Sequence, residues 1–169
     1  MTVRLLREFL EAGIEPVSAL RTLNAALMLR GEEGGGFTTI DLLALQRPTG
    51  AGTLYKYGAA PSYLKRGGCV TRVTGQSLPA GLQQGADGPE STRLSLQAGS
   101  FFVMVSDGVA DETDDEWLQN LMAGWSGQSA EALASLILSE SRTRRGLRDD
   151  CAVLVLHLPK MEDSPPRQV

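Results

Sequence analysis

The period of the apolar residues changes at Gly34-Gly35-Gly36, and no other feature of the chain constrains its fold as much. Before the glycines, Val3, Leu6, Phe9 and Leu10 recur at intervals of three and four, the spacing of one helix face, and Gly13 stands where that helix would stop. Glu15-Pro16 opens a second helix, Val17, Leu20, Leu23 and Leu27 form its apolar stripe, and Gly31 ends it. A link of about three residues predicts a helix hairpin. After the glycines, β-rich runs come in pairs: 37–45 with 53–59, 62–65 with 69–73, and 92–96 with 101–105. Turn-rich links at 47–52, 66–68 and 97–100 make each pair an expected β-hairpin. Residues 83–91, rich in Gly, Pro and Asp, read as a loop.

Thr113-Asp114-Asp115-Glu116 has the form of a capping box ahead of Trp117, Leu118, Leu121 and Met122. Ser129 is placed to cap a further helix with Leu133, Leu136 and Ile137 on one side. Residues 151–158 form a nearly unbroken apolar strand of the kind buried on both faces, and the polar tail from Pro159 is expected to be disordered. This order of elements predicts an α+β fold, antiparallel sheets covered by helices.

At 169 residues the chain suits one domain or part of one. No apolar run approaches the roughly 20 residues a bilayer needs. Acidic residues lie within two turns of Met1 and no small-residue cleavage site follows an apolar stretch, so no secretory signal is read and a cytoplasmic location is expected. A net charge of -4 gives no electrostatic reason to expect nucleic acid as a partner. Cys69 and Cys151 are far apart in strand-like stretches and read as small hydrophobes, with no disulfide between them. His157 is the only histidine, which excludes His-rich metal sites and any Ser-His-Asp triad that does not use it; in the last strand, with no acidic partner nearby in sequence, it reads as a surface or satisfied side chain. Any hydrolytic chemistry must therefore rest on carboxylates.

Two places could gather them. The run Phe101-Phe102-Val103-Met104-Val105-Ser106-Asp107-Gly108 delivers a carboxylate at a strand end, then removes the next Cβ so that the backbone can bend close to an ion or water. Asp111 follows one turn later. On this stretch alone an ordinary Asp-Gly turn is the simpler account. The second place is Arg148-Asp149-Asp150, just before the last strand, where adjacent carboxylates repel unless a cation offsets them. Pairing with Arg144, Arg145 and Arg148 would do this as well as a metal. Hard cations such as Mg2+ and Mn2+ take oxygen donors from separate segments, which Asp107 and Asp149/Asp150 could supply if the two strands are neighbours. Asp41, inside a strand-like run, is read as structural.

Taken together and in order, the runs Phe37–Leu42, Gly58–Gly67, Ser77–Leu82, Ser106-Asp107-Gly108-Val109 and Asp149-Asp150-Cys151-Ala152-Val153 resemble the phosphatase domains of the stage II sporulation protein E kind. These belong to the PPM-type, 2C-like, metal-dependent protein serine/threonine phosphatases. The resemblance runs from about Val3 to Leu158. It implies a layered α-β-β-α sandwich of antiparallel sheets flanked by helices, missing its first strands. Residues 1–158 would be a partial phosphatase domain (1–31 the helix hairpin, 37–158 the sheets and helices), and 159–169 a disordered tail. It also implies a binuclear Mn2+ or Mg2+ centre, with Asp107 and Asp149 as ligands, Asp150 in the second place of the closing motif, Asp111 at a weaker third-metal position and the backbone of Gly108 at the site. The implied reaction is hydrolysis of phosphoserine or phosphothreonine on a regulatory protein of the anti-anti-sigma-factor type, with a homodimer through the helix hairpin as a further expectation.

Two departures bear on this. The family's Asp-Gly-Met-Gly-like motif, whose aspartate bridges both metals, has no counterpart in 1–36, and Cys151-Ala152 replaces the usual Met-Thr. The first departure leads us to expect a C-terminal fragment with weak or no activity alone. The alternative is a catalytically inactive module that binds a regulatory partner.

Overall fold

The computed structural model describes residues 2–31, 36–82, 88–111, 113–145 and 149–159. The polar tail beyond Pro159, Arg148 and most of the expected 83–91 loop lie outside them. The chain divides into two compact units, Met1–Ala59 with Thr74–Leu94 and Ala60–Val73 with Ser95–Val169.

In the first unit, helices α1 (Thr2–Glu11) and α2 (Pro16–Gly31) pack against each other as the expected hairpin. Gly13, at φ 78°, takes the left-handed turn between them. The buried stripe of α2 is Ala19, Leu20, Leu23 and Leu27, while Val3 of α1 is 72% exposed and Leu5 joins Leu6 against the core instead. The apolar face of α1 is thus rotated from the one its spacing suggested. Strands β1 (Ile40–Leu45) and β2 (Ala51–Tyr57) pair antiparallel from Ile40↔Tyr57 to Leu45↔Gly52. Gly50, at φ 66°, closes their turn by donating its N–H to the Gln46 carbonyl at 2.9 Å. β5 (Glu90–Ser95) joins the other side of β2, giving the order β1-β2-β5. Asp41 has the structural role expected of it. The register sets it opposite Lys56, whose ammonium donates to both carboxylate oxygens at 2.7 and 2.8 Å.

The second unit holds an antiparallel sheet of order β4-β3-β6-β7, made of β3 (Ser62–Arg66), β4 (Cys69–Val73), β6 (Phe101–Val105) and β7 (Val153–His157). The expected hairpin between 92–96 and 101–105 does not form, because β5 and β6 belong to different sheets. The turn at Gln97–Ser100 is real, with Ser100 N–H donating to the Gln97 carbonyl at 2.9 Å, but it is a crossover between sheets. The last strand is also less buried than its apolar run implied. It lies at the sheet edge, and Leu154 is 53% exposed. Cys69 is exposed rather than packed, and both cysteines are free. α3 (Glu116–Gly124) and α4 (Ala130–Arg145) bring Trp117, Leu118, Met122, Leu133 and Ile137 into one core with Tyr63, Phe101, Val103 and Val105. Ser129 caps α4 as expected, its Oγ accepting from Ala132 N–H at 3.1 Å.

That core contains a buried polar cluster. The Tyr63 hydroxyl donates to Asp115 Oδ2 at 2.8 Å, and the same carboxylate accepts from Arg72 Nε and Gln119 Nε2. Burial foremost, then the hydrogen bond to Asp115 and its negative charge, push the Tyr63 phenol well above its usual value. Unfolded, it would ionise near pH 10. Folded, it keeps its proton at higher pH, so this contribution to stability is complete below about pH 10 and is lost as the pH rises. Lys65, whose ammonium burial pushes down, contributes a slope of the opposite sign. Tyr63→Phe should therefore flatten the alkaline fall in stability relative to the parent chain, followed by urea unfolding at several pH values. At neutral pH it should cost about 1 kcal/mol for the lost hydrogen bond. An alkaline slope identical to the parent's would remove Tyr63 from that transition.

Candidate functional site

The antiparallel register of β6 and β7 runs from Phe101↔His157 to Val105↔Val153, so the chain leaving β6 and the chain entering β7 meet at one strand end. Ser106 joins them. Its N–H donates to the Ala152 carbonyl at 3.0 Å, its hydroxyl donates to the Asp150 carbonyl at 3.0 Å, and the same oxygen accepts from Ala152 N–H at 2.9 Å. Gly108 makes the approach possible. A Cβ there would lie 2.5 Å from the Asp150 carbonyl oxygen and 3.3 Å from Asp149 Cβ, so a side chain would force the two loops apart. Asp107 and Asp149, 42 residues apart in the chain, are thereby brought to the same place.

Each of these carboxylates is oriented by the backbone that follows it. Asp107 Oδ1 accepts from Gly108 N–H at 3.0 Å, and Asp149 Oδ1 accepts from Asp150 N–H at 2.7 Å. Asp107, Asp149 and Asp150 are all exposed, so their charges stand at the protein surface. From below, the Gly108 carbonyl accepts from the Cys151 thiol at 3.3 Å, and the buried Ser141 hydroxyl of α4 lies near the carbonyls of Gly108 and Val109. Cys151 therefore packs beneath the loop that carries Asp107.

Asp111 has a different environment. Its Oδ1 accepts from Thr113 N–H at 2.8 Å, Thr113 Oγ1 at 2.7 Å and Asp114 N–H at 3.1 Å, an Asx-type turn. This corrects the expected capping box. Thr113 is spent on Asp111, α3 begins at Glu116 after Asp115, and the Asp115 side chain makes no cap bond because it faces Tyr63, Arg72 and Gln119. Arg144 does not neutralise the aspartates either. It pairs with Glu140 at 3.5 Å and lies over the Trp117 ring at 5.4 Å. His157 is neither a free surface group nor satisfied. Its ring stacks on Phe101 with centroids 4.1 Å apart, and Nε2 is buried without a partner among the described residues.

Ser106 and Ser141 were not singled out from the sequence. For Ser106 a signal was present, since a hydroxyl directly before Asp-Gly at a strand end is well placed to bridge to a neighbouring chain. For Ser141 there was none.

Comparison with known proteins bears on the family and the fold. A family model for stage II sporulation protein E (SpoIIE) matches residues 1–159. Stage II sporulation protein E of Bacillus subtilis (strain 168) is 32% identical over 164 residues, covering 93% of this chain and 20% of that protein, so the chain spans about a fifth of the relative's length. The solved PP2C phosphatase domain with a fragment of the regulatory domain of Bacillus subtilis SpoIIE superposes with a TM-score of 0.81 at 31% identity, covering 94% of this chain and 49% of that one. A manganese-presoaked structure of the same phosphatase domain gives a TM-score of 0.66 at 31% identity, covering 94% and 72%. The mixed helix and antiparallel-sheet architecture is thus that of PP2C phosphatases, as the motifs led us to expect. With the family model matching nearly its whole length, the chain belongs to the stage II sporulation protein E (SpoIIE) family.

Proposed function

We propose that residues 1–158 are the larger part of a PPM-type phosphatase domain that hydrolyses phosphoserine or phosphothreonine on a regulatory protein, with Asp107 and Asp149 as metal ligands. The observation that carries this reading is the convergence of Ser106–Gly108 with Asp149–Ala152 at one strand end. The donor chemistry fits a hard divalent cation, since the described groups gathered there are carboxylate and backbone oxygens, with the Cys151 thiol turned to the Gly108 carbonyl. Asp150 would add a further oxygen, the Gly108 backbone would lie at the site, and Asp111, whose Oδ1 accepts three hydrogen bonds, would stand at a weaker outer-cation position.

When bound, Mn2+ or Mg2+ supplies Lewis-acid polarisation of the phosphoryl group and acidifies water for attack on phosphorus. The protein's own part is positional. The Ser106 clamp holds the two loops in register, and the backbone N–H groups of Gly108 and Asp150 orient the carboxylates before any ligand arrives. Their exposure at a strand end suits a phosphorylated side chain on another protein.

Among the described residues no three His, Cys, Asp or Glu side chains form a group able to hold a metal. In this reading the carboxylates seen here are part of a larger donor set, with the bridging aspartate on a further segment of the gene product. This polypeptide alone would then bind metal weakly and turn over slowly. Calorimetric titration of the full-length gene product with Mn2+ tests the assignment. Saturable uptake is expected, and Asp149→Asn should weaken it by at least about tenfold, because losing a ligand costs no less than losing its outer-shell partner. Uptake unaffected by that substitution would sink the role of Asp149.

One observation favours a second reading, an inactive module that binds a regulatory protein. Val3 of α1 and Leu29 of α2 are 72% and 71% exposed, apolar side chains available to a partner or a second copy of the chain. The same titration separates the two, since a pure binding module needs no metal.

A further inference from the structure

We propose that the second unit carries a ligand site for a small organic anion, in a cavity of about 540 Å³ around Lys65, at the opposite end of the sheet from Asp107 and Asp149. Lys65 pairs with Phe101 at the start of β6, whereas Asp107 follows the end of that strand. At about 3.3 Å per residue the two positions are some 20 Å apart. The site is therefore separate from the carboxylates and opposite to them in charge.

Lys65 is the reason to expect an anion. Its side chain is buried, 5% exposed, and its ammonium donates to the carbonyls of Gly67 and, at 3.4 Å, Ala123. Among the described residues no carboxylate pairs with it, and none lines the cavity. The contrast with Lys56 is direct, since that equally buried lysine has Asp41 beside it. A buried cation held only by carbonyl dipoles leaves its charge uncompensated, a situation that proteins relieve with a counter-charge. The cavity is where that counter-charge can enter.

The rest of the lining points the same way. Arg66 adds a second cation, and Gln97, Ser100 and Gln128 add neutral hydrogen-bonding groups. Trp125 forms part of the wall, and its indole N–H is buried with no partner among the described residues. Gly127 leaves room for its ring, since a Cβ there would sit 2.4 Å from the indole. The volume falls within the roughly 300–1,000 Å³ typical of small-molecule sites and exceeds what a bare inorganic oxyanion needs. The ligand class is thus an organic molecule bearing a carboxylate or phosphate group.

The indole N–H signals of Trp117 and Trp125 allow a direct test by two-dimensional NMR on the full chain, titrated separately with glycerol 3-phosphate and with succinate. A saturable shift of the Trp125 signal, with Trp117 unmoved, is expected for at least one of them, and the one that saturates identifies the anionic group. Lys65→Met should weaken that binding at least tenfold. Ala98→Phe, a substitution at an exposed turn residue of the cavity rim, should do the same and provides a second variant that spares the core. Asp107→Asn should leave the titration unchanged, so this site stands or falls apart from the phosphatase reading. No saturable shift with either anion, or equal binding by the parent chain and both cavity variants, would overturn the proposal.

Discussion

Asp107→Asn is expected to lower metal-dependent phosphate release by about a thousandfold while leaving the fold standing. A carboxylate that holds a catalytic cation contributes several kcal/mol of charge stabilisation in the transition state, and each 1.36 kcal/mol is a factor of ten. The substitution removes that charge with little change in shape. The Asn carbonyl oxygen can still accept the hydrogen bond that Asp107 Oδ1 takes from Gly108 N–H. The side chain is exposed, and the β6 core residues Phe101, Phe102, Val103 and Val105 lie before it in the chain. The fold should therefore survive, with a melting temperature within a few degrees of the parent. The measurement is phosphate release from a phosphoserine peptide by the full-length gene product at saturating Mn2+. Turnover equal to the parent's would take Asp107 out of the mechanism, whereas a large fall in melting temperature would mean that its role is structural.

The strand end that carries Asp107 was legible because two local signals coincide there, an apolar run and a residue without Cβ directly after an acid. What joins it to Asp149 was legible only as a condition, since nothing in 101–108 or 149–158 states which strands are neighbours. The register Val105↔Val153 supplies that condition, and Ser106 locks it. The errors share a physical origin in competition between local and distant partners. Thr113 and Glu116 have capping-box spacing, but Asp111 lies two residues before Thr113 and captures both its hydroxyl and its N–H, while Asp115 is drawn to Tyr63 and Arg72 from another part of the chain. The turn at Gln97–Ser100 has the composition of a hairpin, yet sheet membership is decided by which surface each strand covers, and β5 pairs with β2 while β6 pairs with β3 and β7. Residues 151–158 were read as doubly buried from hydrophobicity alone, which does not distinguish an edge strand from a central one.

Asp41→Ala is expected to destabilise the protein by about 3–5 kcal/mol, the usual consequence of removing one partner of a buried ion pair. Lys56 is 2% exposed and Asp41 12%, so the pair is largely shielded from water. Its stem is also hemmed in, since a Cβ added at Gly75 would lie 3.2 and 3.4 Å from Lys56 Cβ and Cδ. The Lys56 carbonyl is further tied to Ser77 Oγ at 2.8 Å, which ties the following segment to β2. Urea unfolding would show the loss as a lower midpoint at unchanged slope. The double substitution Asp41→Leu with Lys56→Met should recover most of it, because apolar residues of similar volume often replace a buried pair at little cost. A double-mutant cycle then isolates the coupling between the two side chains. If Asp41→Ala cost less than about 1 kcal/mol, Lys56 would have found another acceptor, and the pair would not be what fixes the β1–β2 register.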